Sequence, residues 1–363
     1  MKWSPANTSG KFMCILRITF PISRLMGLAP YSNDLDYSGF WAAYSLIFCS
    51  LIFITVVIVN YNYISTGEER HDEWILNPYN LKLYLAQIHL QGFALGMHLF
   101  KITIRDKEFA QVLKFIKETF VGPITISIIF SSGSSTILGL CWLFECYMSW
   151  PIVDPPDPTT MWTFFTAMYG DMVCFVIVMQ FCATISVLKF GFAHITYVLK
   201  RTRFKYVRKL ILRHSSLIHR TKYVNQFYSK QLVAIITLTA LNYVSWAFFG
   251  LQDFMRSSPQ LILGLSKLQQ AFYQLYLLLC LCRCCDATII EADTFCKELF
   301  RLTWKSKYLH TDYDSINLYL SMRPSVSFPA SGFFNIGFPL ITSIVTAAST
   351  YLVIIIQFST SKI

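Results

Sequence analysis

The sequence predicts an all-α membrane protein with seven transmembrane helices, an intracellular N-terminus and an extracellular C-terminus. Of its 363 residues, 54% are hydrophobic, 16% are aromatic and only 14% are charged, a composition typical of membrane proteins. Apolar stretches close to the roughly 20 residues that a helix needs to cross a bilayer recur along the chain. Lys and Arg fall mainly on one side of these stretches. We therefore expect no large soluble domain.

Seven stretches are predicted to span the membrane. A mixed N-terminal segment, residues 1–38, precedes them and is expected to be cytoplasmic with one interfacial helix. It is not expected to be a cleavable signal, because Lys11, Arg17 and Arg24 interrupt its apolar residues. The spans are predicted at 39–64, 83–100, 121–144, 161–188, 231–251, 260–282 and 332–361.

The distribution of basic residues predicts the orientation. Of the 31 Lys and Arg residues, 26 fall in the N-terminal segment and in the loops 101–120, 189–230 and 283–331. The positive-inside rule makes this side cytoplasmic. The opposite loops carry eight acidic residues, Asp253 among them. This orientation is opposite to that of a metabotropic seven-span receptor, which remains an alternative.

The cytoplasmic segments are predicted to be helical. Apolar residues recur at spacings of three and four over 207–228 and again over 289–303, which indicates amphipathic helices. The expected organisation is a six-helix bundle at 39–282 with cytoplasmic helical extensions at 189–230. Anchor helices at 283–331 follow, and then the last span with a short extracellular C-terminus, 332–363.

The last span carries a polar stripe. Its members recur at spacings of three and four and therefore share one face of a helix. Two interpretations remain open: hydroxyls that bond to the backbone one turn back, or a water-filled pore shared by several subunits. The stripe consists of Ser343, Thr346, Thr350, Val353, Gln357 and Thr360.

Two ionisable residues are predicted inside spans at similar depth. Asp171 falls in the fourth span and Lys267 in the sixth. Because isolated charges are costly in a membrane, we expect the two residues to pair or to face a cavity. A membrane transporter that uses them is a second alternative.

Aromatic and polar residues in the outer halves of the helices predict an outward-facing ligand pocket. They recur at helical spacing on several spans. Helix packing is the competing interpretation for each stripe alone. The candidate pocket residues are Tyr84, Gln87, Gln91, Trp142, Trp162, Tyr169, Asp171, Asn242, Trp246, Lys267 and Gln270.

No pattern of an enzyme or a metal site stands out. The chain lacks a glycine-rich phosphate loop, a Gly-x-Ser-x-Gly motif and a His-Glu-x-x-His motif. The cysteines at 280, 282, 284 and 285 point in different directions on a helix and do not predict a tetrahedral metal site. We expect no enzyme activity, no cofactor, no disulfide framework and no nucleic-acid partner.

The terminal stretch TYLVIIIQF, Thr350 to Phe358, has the form Thr-Tyr, five apolar residues, Gln-Phe. It resembles the C-terminal signature of insect gustatory receptors. The preceding residues, 328–349, are similar to that family's approach to its last span. Weaker matches to the family occur at 26–32, 179–195 and 225–232.

The resemblance implies a tetrameric ligand-gated cation channel that is related to insect odorant receptors. It implies homo- or heterotetramers with related subunits, a small-molecule tastant in the outer pocket, and membrane lipid around the spans. The expected location is the plasma membrane of gustatory sensory neurons. The last span would line one central pore, with Thr346, Thr350, Val353, Gln357 and Phe358 as candidate pore and gate residues.

Four of the terminal residues belong to the family motif: Thr350, Tyr351, Gln357 and Phe358. Gln357 and Phe358 resemble the residues that form the pore constriction. The sugar receptors of the family commonly have Glu after Thr-Tyr, whereas this chain has Leu352. The resemblance therefore favours a bitter-type or other non-sugar tastant.

Overall fold

The structure, a computed structural model, describes most of the second half of the chain and one earlier helix. The described residues are 38–69, 92, 96–97, 158–202, 206–255, 261–305, 313–322 and 325–360. The predicted spans at 121–144 and, except for three residues, 83–100 lie outside them, as does the N-terminal segment.

The described residues form six helices with defined bounds and one small antiparallel sheet. The helices are α1 (Gly39–Glu69), α2 (Pro158–Thr202), α3 (Val207–Met255), α4 (Leu261–Lys305), α5 (Tyr313–Ser321) and α6 (Phe338–Thr360). The strands are β1 (Pro329–Ala330) and β2 (Phe334–Asn335).

Helices α2, α3 and α4 are much longer than the predicted spans. They contain 45, 49 and 45 residues, which is roughly 70 Å at about 1.5 Å per residue and more than twice the hydrocarbon thickness of a bilayer. The amphipathic patterns at 207–228 and 289–303 lie inside α3 and α4 rather than in separate helices. The predicted spans therefore continue without a break into the predicted cytoplasmic helices, which we call the base of the bundle.

The described helices differ in apolar character. Two helical stretches, Tyr169–Arg201 and Val207–Phe254, are long and apolar enough to cross a membrane. Gly39–Ile52 and Phe338–Val353 are shorter apolar helices. Within α3 every Lys and Arg precedes Gln231, so the basic first half of this helix lies outside the predicted span.

Helix α1 packs on α2 through aromatic side chains. Tyr44 stacks on Phe48 with ring centroids 5.3 Å apart, and Phe48 meets the ring of Tyr169 edge to face at 6.3 Å. The Tyr169 hydroxyl also lies 3.9 Å from the Cys49 sulfur. The acidic residues Glu68 and Glu69, expected in an outer loop, belong to the last turn of α1.

A buried histidine joins four helices in the basic half of the bundle. His214 of α3 has a fully buried side chain. Its Nε2 lies 3.1 Å from the carbonyl oxygen of Ala292 in α4, and its Nδ1 lies 2.6 Å from the Tyr319 hydroxyl in α5. A carbonyl oxygen only accepts, so Nε2 donates and Nδ1 accepts from Tyr319. The ring also contacts Phe192 of α2 and stacks on Phe295.

The segment before α6 is an extended chain followed by a tight hairpin. Val326, Phe328 and Ala330 are buried, with exposed residues between them, the period of two of a strand. Ser331 and Gly332 form the turn with φ angles of 50° and 83°, which is why Gly occupies the second position. Ser229 Oγ accepts a 2.6 Å hydrogen bond from the Ser331 N–H and stabilises its unusual backbone.

We predict that the stability of the folded base depends on pH through His214. Burial lowers the pKa of His214 from 6.5 to about 4, although the hydrogen bond to Ala292 partly opposes this effect. Between these pH values the unfolded state binds more protons, so stability is complete above pH 6.5 and falls as the pH drops. The loss should reach about 3 kcal/mol at most.

Thermal unfolding of the purified protein between pH 7.5 and 5 measures this effect. His214→Gln should be less stable at pH 7.5 but should lose most of the pH dependence. His219→Gln removes an exposed histidine from the same helix and should leave the profile unchanged. An unaltered profile in His214→Gln would assign the pH dependence to other groups.

Candidate functional site: the last helix and the outer helix ends

Helix α6 has one face that packs on the bundle and one that does not. Its packed face is apolar and lies against α4 and α3. The residues of that face recur at spacings of three and four. They are Ile341, Ile344, Val345, Ala348 and Leu352, all buried or half-buried.

The predicted polar stripe lies on the opposite face of α6. With about 100° between successive residues, its centre is roughly 150° from the centre of the packed face. Ser343, Thr346, Thr350, Val353 and Gln357 are all exposed in the single chain. Phe358 lies within α6, but its side chain is outside the described part of the structure.

The hydroxyls of this helix bond to their own backbone. Thr350 Oγ1 donates to the Thr346 carbonyl at 3.0 Å, and Ser343 Oγ donates to the Pro339 carbonyl at 2.9 Å. This agrees with the first interpretation of the stripe for these two side chains, since neither needs water to satisfy its donor. Gln357, near the end of the stripe, is exposed and carries its largest polar side chain.

The first turn of α6 is capped by a residue of another helix. Asp286 Oδ2 of α4 accepts a 2.7 Å hydrogen bond from the N–H of Phe338. The preceding residue is Gly337, and a Cβ there would lie 2.8 Å from Asp286 Oδ1. A glycine therefore leaves space for the carboxylate. This carboxylate accepts a hydrogen bond from a helix N–H, and its negative charge is stabilised by the positive end of the helix dipole.

The chain before this cap is fixed by a buried aromatic cluster. Phe181 of α2 meets Tyr228 of α3 at 5.6 Å and Phe328 at 6.1 Å between ring centroids, both edge to face. Asn225 Nδ2 donates to the Pro329 carbonyl at 2.9 Å. Three stretches that carry the gustatory-receptor resemblance, 179–195, 225–232 and 328–349, meet at this point.

The charged residues near the end of α3 and the start of α4 pair differently from the prediction. Lys267 Nζ lies 2.6 Å from Asp253 Oδ2, whose side chain is 1% exposed. The expected pairing of Lys267 with Asp171 is therefore wrong, and so is the placement of Asp253 in an outer loop, because it lies within α3. Asp171 is half-buried in α2.

Two glycines explain why this ion pair forms. A Cβ on Gly250 would lie 3.1 Å from the Gly264 carbonyl oxygen, and a Cβ on Gly264 would lie 3.2 Å from that of Gly250. Helices α3 and α4 therefore approach closely next to the pair. Lys267 Nζ also lies 5.9 Å from the Phe249 ring centroid, a favourable position for a cation.

The candidate pocket residues that the structure describes differ in burial. Asn242 and Gln270 are buried and Trp246 is half-buried, whereas Tyr169 is directed towards α1. The Asn242 Oδ1 atom has no donor among the described residues. Trp162 lies in α2, and Tyr84, Gln87, Gln91 and Trp142 are outside the described part of the chain.

The family-model comparison covers nearly the whole chain. The model of the 7tm chemosensory receptor family matches residues 16–362. The chain is a member of this family. No curated protein matches it.

Solved structures of insect olfactory receptors share the chemosensory receptor's fold. The olfactory receptor OR5 from Machilis hrabei, in complex with eugenol, is 16% identical with a TM-score of 0.67. That alignment covers 95% of this chain and 98% of the other. The OR5 structure described without eugenol gives 15% identity and a TM-score of 0.64 over 94% and 97% of the two chains.

Sequence patterns did not identify several contacts of this chemosensory receptor. Asp286 fell within the predicted anchor helices at 283–331 without a role of its own, and Gly337 was part of a long uncharged stretch. A Gly-x-Pro sequence at 337–339 does indicate a helix start, but its capping carboxylate comes from a residue 52 positions away.

We predict that removing one partner of the ion pair lowers the stability of the folded receptor more than removing both partners does. Asp253→Asn leaves the ammonium of Lys267 beside a neutral amide and should cost about 2 kcal/mol. The double variant Asp253→Asn/Lys267→Met should recover part of this loss. The thermal unfolding temperature of the purified receptor measures the difference.

The surface pair of Lys200 and Glu298 provides the control. These groups are 3.4 Å apart, and the Lys200 side chain is 53% exposed, so Glu298→Gln should cost well under about 1 kcal/mol. A double variant that is less stable than Asp253→Asn would contradict the role of the buried pair.

Proposed function

We propose that this chemosensory receptor is a gustatory receptor that acts as a ligand-gated, non-selective cation channel. A small extracellular tastant opens it by binding the open state more tightly than the closed state. Four subunits, identical or related, each contribute α6 to one central pore. The observation that carries the proposal is the direction of the stripe on α6, away from the bundle of its own subunit.

The amphipathic character of α6 supports a shared pore. A helix at the edge of a membrane bundle that faced only lipid would have an apolar outer face. Here the apolar face packs on α3 and α4, while the outer face carries Thr346, Thr350 and Gln357. Several copies around an axis would give these groups a common water-filled interior. A ring of neutral amides discriminates weakly among monovalent cations.

The outer helix ends supply features suited to a ligand pocket. The buried Asn242 Oδ1 is an acceptor without a donor among the described residues, and Trp246 lies one turn further along α3. Such a pocket combines apolar walls with few polar groups. A small neutral compound with one hydrogen-bond donor fits this chemistry. The relative OR5 in complex with eugenol is an olfactory example of a small-molecule complex.

The terminal motif supports a gustatory role and a non-sugar tastant. The position where sugar receptors commonly have Glu is Leu352, which lies half-buried on the packed face of α6. A carboxylate on that face would need a partner from the bundle. Bitter-type or other non-sugar compounds are therefore favoured, with gustatory sensory neurons as the site of expression.

The proposed topology places the basic halves of α2, α3 and α4 in the cytoplasm and the end of α6 outside the plasma membrane. We predict that an epitope tag after Ile363 is labelled on intact cells expressing the receptor. A tag at the N-terminus should be labelled only after permeabilisation. The reverse pattern would support a metabotropic orientation and overturn the proposed channel topology.

We predict that Gln357→Glu changes permeation in ligand-evoked currents. Four added carboxylates at the outer end of the pore should raise divalent over monovalent permeability several-fold, since a ring of acidic side chains favours cations. The measurement is the shift in reversal potential when external sodium is replaced by calcium, in cells expressing the receptor with and without a related subunit.

Gln252→Glu is the matched control. It adds the same charge to an exposed glutamine near the outer end of α3, away from the stripe, and should leave the reversal potential unchanged. Equal shifts in the two variants would indicate a general surface-charge effect and would remove Gln357 from the pore.

A further inference from the structure

Exposed basic residues accompany the contacts that hold the start of α6. Lys230 of α3 directly follows Ser229, whose Oγ lies 2.9 Å from Ser331 Oγ in the turn of the hairpin. Arg283 of α4 lies one turn before Asp286, which caps the first turn of α6. The two contacts that fix this part of the chain therefore each have an exposed cation within one helical turn.

A third cation extends this positive charge along α3. Lys222 is exposed and lies two turns before Ser229, on the same side of the helix. We call Lys222, Lys230 and Arg283 the basic patch. Within the described part of the chain, none of the three forms an ion pair with a carboxylate. The first half of α3, residues 207–230, contains six Lys and Arg residues and no Asp or Glu, so its charge is not balanced within the helix.

The basic patch lies where two predicted spans end. Lys230 is the last residue before the predicted fifth span, and Arg283 is the first residue after the predicted sixth span. Helices α3 and α4 run antiparallel, because His214 near the start of α3 contacts Ala292 in the second half of α4. The two span ends therefore lie at a similar level of the bundle. In the proposed topology this level is the cytoplasmic surface of the membrane, and the inference rests on that topology.

The hairpin presents an aromatic side chain in the same region. Phe333 follows the turn and is 78% exposed, whereas the next residue, Phe334, pairs with Ala330 in the sheet. Exposed aromatic rings beside cations are typical of surfaces that lie in the headgroup region of a membrane. There the ring enters the acyl boundary while the cations meet phosphates.

We propose that the basic patch and Phe333 bind an anionic phospholipid of the cytoplasmic leaflet. The phosphate of its headgroup accepts hydrogen bonds from the Lys ammonium and Arg guanidinium groups, and Phe333 contacts its acyl chains. Each basic residue near the membrane surface raises the affinity for anionic lipid about five-fold. A free phosphate ion offers the same oxygen acceptors, but it has no acyl chain for Phe333 to contact. The aromatic ring and the position at the span ends therefore favour the lipid.

A bound lipid would act on the start of α6. Ser229 and Asp286 fix this start from α3 and from α4. A headgroup that bridges Lys230 and Arg283 would join the same two helices from their exposed sides. Movement of α6 relative to the bundle would then differ between the lipid-bound and the lipid-free receptor. The closed–open equilibrium of the proposed channel would therefore depend on the anionic lipid content of the inner leaflet.

Lipid binding by the purified full-length receptor in a neutral detergent tests the proposal without any channel activity. Dioctanoyl phosphatidylserine, dioctanoyl phosphatidylcholine and inorganic phosphate are titrated separately, and binding is followed by microscale thermophoresis. We expect phosphatidylserine to bind about ten-fold more tightly than phosphatidylcholine, with an affinity that falls as salt is added. Inorganic phosphate that binds as tightly as phosphatidylserine would identify a site for free anions and would overturn the lipid assignment.

Two variants separate the charges of the site from its aromatic ring. The triple variant Lys222→Gln/Lys230→Gln/Arg283→Gln should weaken phosphatidylserine binding by roughly 100-fold and should change phosphatidylcholine binding little. Phe333→Ser should weaken the binding of both lipids, because the ring contacts acyl chains. Unchanged lipid binding in Phe333→Ser would remove the hairpin from the site and overturn the proposal. Size-exclusion profiles equal to that of the wild type show that the variants are folded.

The matched control removes three exposed charges from the beginning of α3, farther into the base. The control variant is Arg208→Gln/Lys209→Gln/Arg213→Gln. It should weaken phosphatidylserine binding by less than about five-fold. Equal losses in the control and in the patch variant, or no loss in the patch variant, would overturn the proposal. Lipid binding by a receptor that gives no ligand-evoked current would support the site and contradict only the proposed function.

Discussion

The position of the last helix depends on how the chain before it is held. Phe328 is buried against Phe181, whose ring also meets Tyr228 edge to face, and Asn225 Nδ2 donates to the carbonyl oxygen of the next residue, Pro329. Because α6 packs on α3 and α4 along only one face, its direction is determined mainly at its start. The aromatic cluster and the polar contacts of the hairpin therefore set which way the exposed face points. The stretches 179–195, 225–232 and 328–349, which resemble gustatory receptors, make these contacts.

The continuity of α2, α3 and α4 joins the apolar and basic halves of the molecule. A continuous helix changes direction sharply only at a kink caused by Pro, Gly or a bulge, so a displacement at the apolar end of α3 is transmitted to its basic end. His214 holds α4 and α5 to α3 by two hydrogen bonds in that base. Asp253, which pairs with Lys267, and the buried His214 thus lie near opposite ends of α3. A movement of α3 would therefore change the contacts of both Asp253 and His214.

Composition and periodicity were sufficient for the helical class, for helices at five of the seven predicted spans and for the exposed face of α6. These features are local, because a run of apolar residues or a spacing of three and four is visible in one segment. The ion-pair partner of Lys267, in contrast, could not be predicted from one segment, because it lies on a different helix. Asp171 matched it in depth, but Asp253 is brought next to it by the close approach at Gly250 and Gly264, and a sequence pattern does not encode the distance between two helices.

The boundaries of α6 and α1 show the same limit on a smaller scale. Lack of charge predicted a span from residue 332, whereas the hairpin occupies 329–335 and α6 begins at Phe338. Hydrogen bonds from α3 stabilise the hairpin, so its sequence alone was indistinguishable from an apolar helix. At the other end of the described chain, Glu68 and Glu69 continue α1 because helix propensity outweighs their charge.

The cap at the start of α6 couples two distant positions during evolution. Gly337 has no side chain because Asp286 occupies the space that a Cβ would fill, and Asp286 has a helix N–H to bind because Gly337 offers no cap of its own. A larger residue at 337 would displace the Asp286 carboxylate from the start of α6, and a Ser or Asn at 337 could then cap the helix from within. The two positions should therefore vary together among related receptors.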